Sequence, residues 1–170
     1  MKRIAFLLFS VFHLASLAQT NLPKKAEKIY QKAIKEINAN RYPEAIVLLE
    51  QVHASNPEHV NALLSLADLY FQTGNDSLAL VSYEKIKAFQ IATYYKVYLN
   101  AGILKMRKSD YSGAQLDFQK LLTFKNLSYQ AHQDGKMYLA DCTFSMEAIK
   151  NPYRVDLKNL GDHINTPFYE

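Results

Sequence analysis

Apolar residues recur along most of the chain at the spacing of one helix face. In the segment that begins at position 60, Leu63, Leu66, Ala67 and Tyr70 return at intervals of three and four residues. This spacing places their side chains on one side of an α-helix. Turn-forming residues interrupt the pattern, for example at positions 73–76. Seven helices are predicted in this way: Lys25–Asn38, Pro43–Ala54, Glu58–Thr73, Ser77–Ala88, Thr93–Arg107, Ser112–Phe124 and Ser128–Lys150.

The helices are organised in a repeat. In the second helix of each predicted pair an alanine stands four residues before a leucine or an aromatic residue, and these alanines are Ala45, Ala79 and Ala114, separated by 34 and 35 residues. A period of about 34 residues with small residues at fixed offsets is the pattern of the tetratricopeptide repeat (TPR). We therefore predict three helix-turn-helix repeats over residues 26–59, 60–93 and 95–128.

Small residues stand at fixed positions in both helices of each predicted repeat. A small side chain lets two antiparallel helices approach closely, so we expect these positions to lie at helix contacts. They are Ala33, Ala67 and Gly102 in the first helices and Ala45, Ala79 and Ala114 in the second. The predicted fold is all-α: a TPR solenoid of about three repeats, a capping helix at 128–150 and an extended tail at 151–170. Half of a degenerate fourth repeat is an equal interpretation of the last helix.

The first eighteen residues have the composition of a secretory signal. Lys2 and Arg3 precede an almost wholly apolar run, and Ser16-Leu17-Ala18 has the small-x-small form that a signal peptidase cleaves. We expect residues 1–18 to be a signal peptide, with the TPR domain over 19–150. A retained membrane anchor is the alternative, although the apolar run is shorter than the roughly 20 residues that span a bilayer. The sequence thus predicts export to the periplasm, with a possible association with the outer membrane.

Charge and cysteine content argue against several functional classes. Without Lys2 and Arg3 the chain has eighteen Lys and Arg against sixteen Asp and Glu, an even balance that does not indicate nucleic-acid binding. Cys142 is the single cysteine, so no internal disulfide or cysteine-rich metal site is expected. It falls in an apolar helical stretch, which favours a buried core residue over a nucleophile. We predict no catalytic residue, metal or cofactor.

A partner-binding surface is predicted on the concave face of the repeats, which the first helix of each pair lines. Several residues there are apolar where solvent exposure is expected, which suits a groove for an extended or helical apolar segment. The alternative is that the chain's own last helix or tail covers them. The basic positions of the chaperone-type carboxylate clamp hold Tyr30, Leu64 and Leu99, so recognition of a chaperone tail is not predicted. The predicted face comprises Tyr30, Ile34, Ile37, Asn61, Leu64, Asp68, Phe71, Lys96, Leu99, Ile103 and Met106.

The tail resembles a linker in a family of envelope proteins. An Asn-Pro step at 151–152, Asn159-Leu160-Gly161, Ile164-Asn165 and a final Tyr169-Glu170 are similar to the segment that follows the TPR region in Bacteroidetes proteins of the PorE-like, OmpA-family type. In that family the segment leads into a β-propeller and an OmpA-like peptidoglycan-binding domain. Here the sequence ends at Glu170, so anchoring to the cell wall is not carried over.

Two functional hypotheses follow from the sequence. The first is a non-catalytic TPR adaptor that joins protein components of the bacterial cell envelope through unidentified protein partners. The second is the truncated N-terminal part of a peptidoglycan-associated TPR and β-propeller protein, in the manner of type IX secretion components. An enzyme is the third and least supported class.

Overall fold

The computed structural model of the protein describes residues 22–91 and 94–152. These segments form seven α-helices and, within those two ranges, no β-strand. The helices are α1 (Lys24–Asn38), α2 (Tyr42–Ser55), α3 (Val60–Gln72), α4 (Asp76–Ala88), α5 (Tyr95–Arg107), α6 (Tyr111–Leu121) and α7 (Tyr129–Lys150). The predicted signal peptide lies outside the described residues, as does the tail beyond Pro152.

The prediction of an all-α fold of the TPR type is confirmed. Three helix ends differ from the predicted bounds by two residues or more: the start of α3, the start of α5, which is Tyr95 rather than Thr93, and the end of α6. Helix α3 begins at Val60 rather than Glu58, because His59 caps it: its Nδ1 atom accepts a hydrogen bond of 3.1 Å from the backbone N–H of Ala62. Helix α6 ends at Leu121 rather than Phe124. There the N–H groups of Thr123 and Phe124 donate to carbonyls three residues back, which tightens the last turn and ends the α-helical pattern.

The chain divides into two compact units, with the boundary between Ser82 and Tyr83 inside α4. In the first unit α1 packs on α2 and α2 packs on α3. In the second unit α5 packs on α6, α6 packs on α7, and α5 also contacts α7. The hydrophobic cluster of the second unit contains Ala114, Phe118, Leu121 and Cys142, contributed by α6 and α7. Cys142 is therefore a core residue of the last helix.

The turn between the two helices of each repeat has the same backbone geometry three times. Asn40, Gly74 and Ser109 each have a positive φ, of 56°, 77° and 60°, and they are separated by the repeat spacing of 34 and 35 residues. The N–H of the next residue donates in each case to the carbonyl five residues earlier, at 2.8 to 2.9 Å. These bonds satisfy the last carbonyls of α1, α3 and α5, as in a Schellman-type helix end.

The six small residues at the repeat positions are buried. The five alanines, which are Ala33, Ala45, Ala67, Ala79 and Ala114, have no exposed surface, and Gly102 is also buried. The packing at Gly102 leaves no space for a side chain. A Cβ atom on Gly102 would lie 2.6 Å from Cε1 and 2.7 Å from Cζ of Phe118. Because the ring of Phe118 is fully buried, α5 and α6 reach this separation only with glycine at the contact.

Substitution of Ser109 by glycine should stabilise the chain. A non-glycine residue pays about 1 kcal/mol to adopt the left-handed conformation, and glycine removes that cost. We expect Ser109→Gly to raise the free energy of unfolding in urea by up to about 1 kcal/mol. Ser112→Gly, in the first turn of α6, is the control and should lower it, because glycine there adds chain entropy and removes the hydrogen bond that the Ser112 hydroxyl donates to Oδ1 of Asp110 at 3.2 Å. A stabilising effect of both variants, or of neither, contradicts the turn geometry.

Substitution of Gly102 by alanine should destabilise the second unit. Alanine is the better helix former by about 1 kcal/mol, but overpacking against a buried ring costs about 1–3 kcal/mol. We expect a net loss of about 1 kcal/mol in urea unfolding. In a Phe118→Leu background, where the ring atoms are absent, Gly102→Ala should be neutral or stabilising. An equal loss in both backgrounds would show that the ring of Phe118 is not the obstacle.

Candidate partner-binding site

The predicted binding face of the first unit lies on α1 and α3. Its apolar members Ile34, Ile37, Leu64 and Phe71 are half-buried, so part of each side chain remains at the surface. Of the polar positions in this unit, Asn61 is exposed and Asp68 is half-buried, and both make further polar or ring contacts within the chain, as does Phe71. The face in this unit is therefore amphipathic, with apolar surface next to hydrogen-bonding groups.

Tyr30, the first residue of the predicted face, is held by an aromatic contact. Its ring meets the ring of His59 edge to face, with centroids 5.3 Å apart and planes at 68°. The same His59 caps α3 through its Nδ1 atom. One imidazole thus both ends the loop before α3 and fixes the orientation of a side chain on α1. This contact gives the start of the face a defined shape.

The predicted face of the second unit lies on α5 and contributes less free surface. Leu99, Ile103 and Met106 are half-buried and pack against the hydrophobic cluster formed by α6 and α7, whereas Lys96 is exposed. The last helix therefore shares part of the surface that these three side chains offer. Sequence analysis placed all eleven residues on first helices, which is where they lie. Their role in partner binding stays a prediction.

A polar contact between neighbouring helices recurs in both units at the same repeat position. In the first unit the hydroxyl of Tyr70 on α3 donates to Oε1 of Glu50 on α2, at 2.6 Å. In the second unit Nζ of Lys105 on α5 pairs with Oε1 of Glu84 on α4, at 2.9 Å. Lys105 follows Tyr70 by 35 residues and Glu84 follows Glu50 by 34, so the two contacts correspond. A neutral donor in one repeat is replaced by a cation in the next.

The cation at position 105 is compensated by a closed network of four charges. Asp117 on α6 is buried, and its two carboxylate oxygens accept from Lys87 at 2.5 Å and from Lys105 at 2.8 Å. Glu84 bridges the same two ammonium groups, at 2.8 Å from Lys87 and 2.9 Å from Lys105. Each lysine thus contacts both carboxylates. The network joins α4, α5 and α6 within the second unit.

Two members of the network, Glu84 and Lys105, have pKa values shifted toward their charged forms. Burial alone would raise the pKa of Glu84, but hydrogen bonds from Lys87 and Lys105 outweigh it and hold the pKa below its ordinary value. Burial alone would lower the pKa of Lys105, and its bonds to Asp117 and Glu84 raise it instead. In the first unit, burial and then the bond to Glu50 raise the pKa of Tyr70, so its hydroxyl keeps the proton that it donates.

Sequence analysis missed this network, although a signal for it is present. The third repeat has Lys105 where the second has Tyr70, and Asp117 where the second has Ser82. Two charges of opposite sign that appear together in one repeat, at positions which are uncharged in another, indicate a paired substitution. The four members are 3 to 33 residues apart in the sequence, so the pairing is visible only when the repeats are compared position by position.

The described residues offer little for catalysis or metal binding. Cys142 is fully buried, and burial, with a further contribution from the charge of Asp141, raises the pKa of its thiol. A thiol in this state is a poor nucleophile. Within residues 22–91 and 94–152, no three His, Cys, Asp or Glu residues are grouped so as to hold a metal ion. Across the same ranges, every helix is too short or too polar to cross a bilayer.

Removal of the buried carboxylate should destabilise the second unit strongly. Asp117→Asn leaves two ammonium groups with only Glu84 as counter-ion, and breaking a buried pair costs about 3–5 kcal/mol. Because the lysine side chains keep some exposure, 12% and 18%, we expect the lower end of that range.

The measurement is urea unfolding, with Asp141→Asn as the control, since Asp141 is exposed and should change stability by less than about 0.5 kcal/mol. Adding Lys105→Met to Asp117→Asn should recover part of the loss, because it removes one uncompensated charge. No recovery would show that the cost lies in packing and not in charge.

Comparison with known proteins agrees with the geometry of the helices. Residues 36–89, from the end of α1 to just beyond α4, match the family model of the tetratricopeptide repeat. No curated protein matches the chain in sequence. The solved structure of the first TPR of Spaghetti (RPAP3) bound to an HSP90 peptide is similar, with a TM-score of 0.60 and 18% identity over 72% of this chain and 94% of that chain.

Two further solved structures are similar to the same degree. The Sgt2 TPR domain from Aspergillus fumigatus has a TM-score of 0.60 and 18% identity, covering 82% of this chain and 91% of that one. The Yersinia enterocolitica type III secretion chaperone SycD, in complex with a peptide of the translocator YopD, has a TM-score of 0.63 and 16% identity, covering 73% and 96%. At these identities the similarity establishes the fold, and the protein has the all-α fold of tetratricopeptide-repeat domains.

Proposed function

We propose that the protein is a non-catalytic adaptor that binds a segment of another protein on the face formed by α1 and α3, the first helices of its first unit. The observation that carries this proposal is the half-exposed apolar surface of Ile34, Ile37, Leu64 and Phe71, which remains after the helices of the first unit have packed. Apolar surface next to polar groups, held on rigid helices, suits the docking of an extended or helical segment. Two of the similar TPR structures contain a bound peptide of another protein.

The proposed location is the bacterial cell envelope. Support comes from the basic start, the apolar run and Ser16-Leu17-Ala18, which together have the form of a cleavable export signal. The resemblance of the tail to PorE-like envelope proteins agrees with the same compartment. In this proposal the partner is an envelope protein, and the adaptor holds it on the periplasmic side.

Capture of the partner should depend on the α3 face. The full chain, with its own leader and a C-terminal tag, is recovered from a cross-linked periplasmic extract, and its partners are quantified by mass spectrometry. Leu64→Asp places a carboxylate in the apolar contact and should reduce recovery of the main partner at least about tenfold. The control Val81→Asp makes the same chemical change at a side chain that is 55% exposed on α4, and should leave recovery unchanged.

A second variant guards against loss of the fold. If Leu64→Asp lowers the melting temperature, Asn61→Arg takes its place, since Asn61 is exposed on the same helix. Equal recovery by the face variants and by Val81→Asp contradicts the binding face. Absence of the chain from the periplasmic extract contradicts the envelope location.

A further inference from the structure

A basic cleft opens in the second unit, and its described lining includes none of the predicted binding residues. It has a volume of about 640 Å³ and lies where the segments after α4 and at the end of α6 meet the start of α5. Its apolar surface comes from Ile91, Tyr98 and Phe124, and its cations are Lys87, Lys120 and Lys125. The volume is in the range of about 300–1,000 Å³ that is typical of ligand sites, and it accommodates a few residues of a peptide.

Two aromatic rings and two lysines give the cleft a defined floor. The rings of Tyr98 and Phe124 lie 5.4 Å apart with planes at 51°. Nζ of Lys87 lies 5.4 Å from the centroid of Tyr98, and Nζ of Lys120 lies 5.9 Å from that of Phe124. These contacts hold the ammonium groups beside the rings, so that apolar surface and positive charge are presented together.

The charge of the cleft is only partly compensated. Lys87 is paired with Asp117 and Glu84 beneath the cleft. Lys120 and Lys125 form no ion pair with another described residue, and the described lining contains no carboxylate. The surroundings have the same sign, because the sequence from 83 to 152 has ten Lys and Arg against six Asp and Glu. A ligand with negative charge is therefore favoured at this site.

We propose that this cleft binds an acidic segment of the protein partner, with carboxylates at Lys120 and Lys125 and one apolar side chain on Tyr98 and Phe124. Because two lysines lie beside an aromatic floor, the cleft favours a peptide with both acidic and apolar residues over a simple anion. The inference rests on the proposed function only in that the partner is a protein. It adds a second contact, on residues other than the eleven of the predicted face. This contact favours a partner segment with negative charge.

The test uses the full chain and synthetic peptides followed by fluorescence anisotropy. The probe is a labelled Glu-Glu-Phe-Glu-Glu peptide with blocked ends, measured at low ionic strength. We expect saturable binding that weakens with added salt, because the attraction is between charges near the surface. Lys120→Gln combined with Lys125→Gln should weaken it about tenfold, and a Glu-Glu-Ala-Glu-Glu peptide should bind about fivefold more weakly than the phenylalanine peptide.

The matched control is Lys136→Gln combined with Lys150→Gln. It removes the same net charge from the same unit, and Lys150, like Lys120, lies in the last turn of its helix. This variant should retain the affinity of the unchanged protein to within about twofold. Melting curves followed by circular dichroism show that both variants remain folded.

Several outcomes overturn the proposal. They are absence of binding at low ionic strength, an equal loss in both double variants, and equal affinity for the phenylalanine and alanine peptides. Binding of phosphatidylglycerol vesicles, but not of the peptide, in a manner that depends on Lys120 and Lys125 would assign the cleft to a lipid surface instead. In the periplasmic capture experiment, a Lys120 and Lys125 variant that keeps the partner while Leu64→Asp loses it would refute the cleft and leave the adaptor function intact.

Discussion

The fold depends on how closely two helices of one repeat can approach. Alanine and glycine stand where larger side chains would separate the helices, and all six such positions are buried. At Gly102 even one additional carbon atom does not fit, since the ring of Phe118 occupies the space that a Cβ would need. Once the helices are this close, Leu49, Tyr83 and Phe118 fill the remaining volume, and each is fully buried. Close-packed interiors leave little freedom for alternative arrangements.

The polar interactions between these closely packed helices differ from one unit to the other. In the first unit a tyrosine hydroxyl and a glutamate satisfy each other between α2 and α3. In the second unit the tyrosine is replaced by Lys105, and a second carboxylate, Asp117, appears beside it. The desolvation of a partly buried ammonium group is offset only when carboxylates lie within hydrogen-bonding distance. The ion pairs therefore also include Lys87 and Glu84. They connect three helices, whereas the corresponding contact in the first unit connects two.

Much of the fold could be predicted from the sequence because it is encoded locally and then repeated. The spacing of apolar residues and the turn residues between them predicted the seven helices, and the spacing of Ala45, Ala79 and Ala114 grouped six of them into three repeats. The start of α3 was displaced because a histidine provides the cap, and histidine is not a usual capping residue. The sequence left open whether the last helix covers the predicted face, because the docking of α7 is not part of the repeat, and in the structure Leu99, Ile103 and Met106 pack against the cluster of α6 and α7. The four-charge network involves residues on separate helices, and no single segment reveals it.

The paired change at Lys105 and Asp117 has a consequence for how this chain could have arisen and how it can be rebuilt. If repeats are copied from one another, a copy of the second repeat would have a tyrosine and a serine at these two positions and would be uncharged there. A copy of the third repeat would have both the lysine and the aspartate. A hybrid that takes one half from each would leave a lysine or an aspartate without its counterpart. Exchange of the whole third repeat therefore keeps Lys105 and Asp117 together, whereas exchange of a single helix separates them, and in both cases Glu84 and Lys87 come from the preceding repeat.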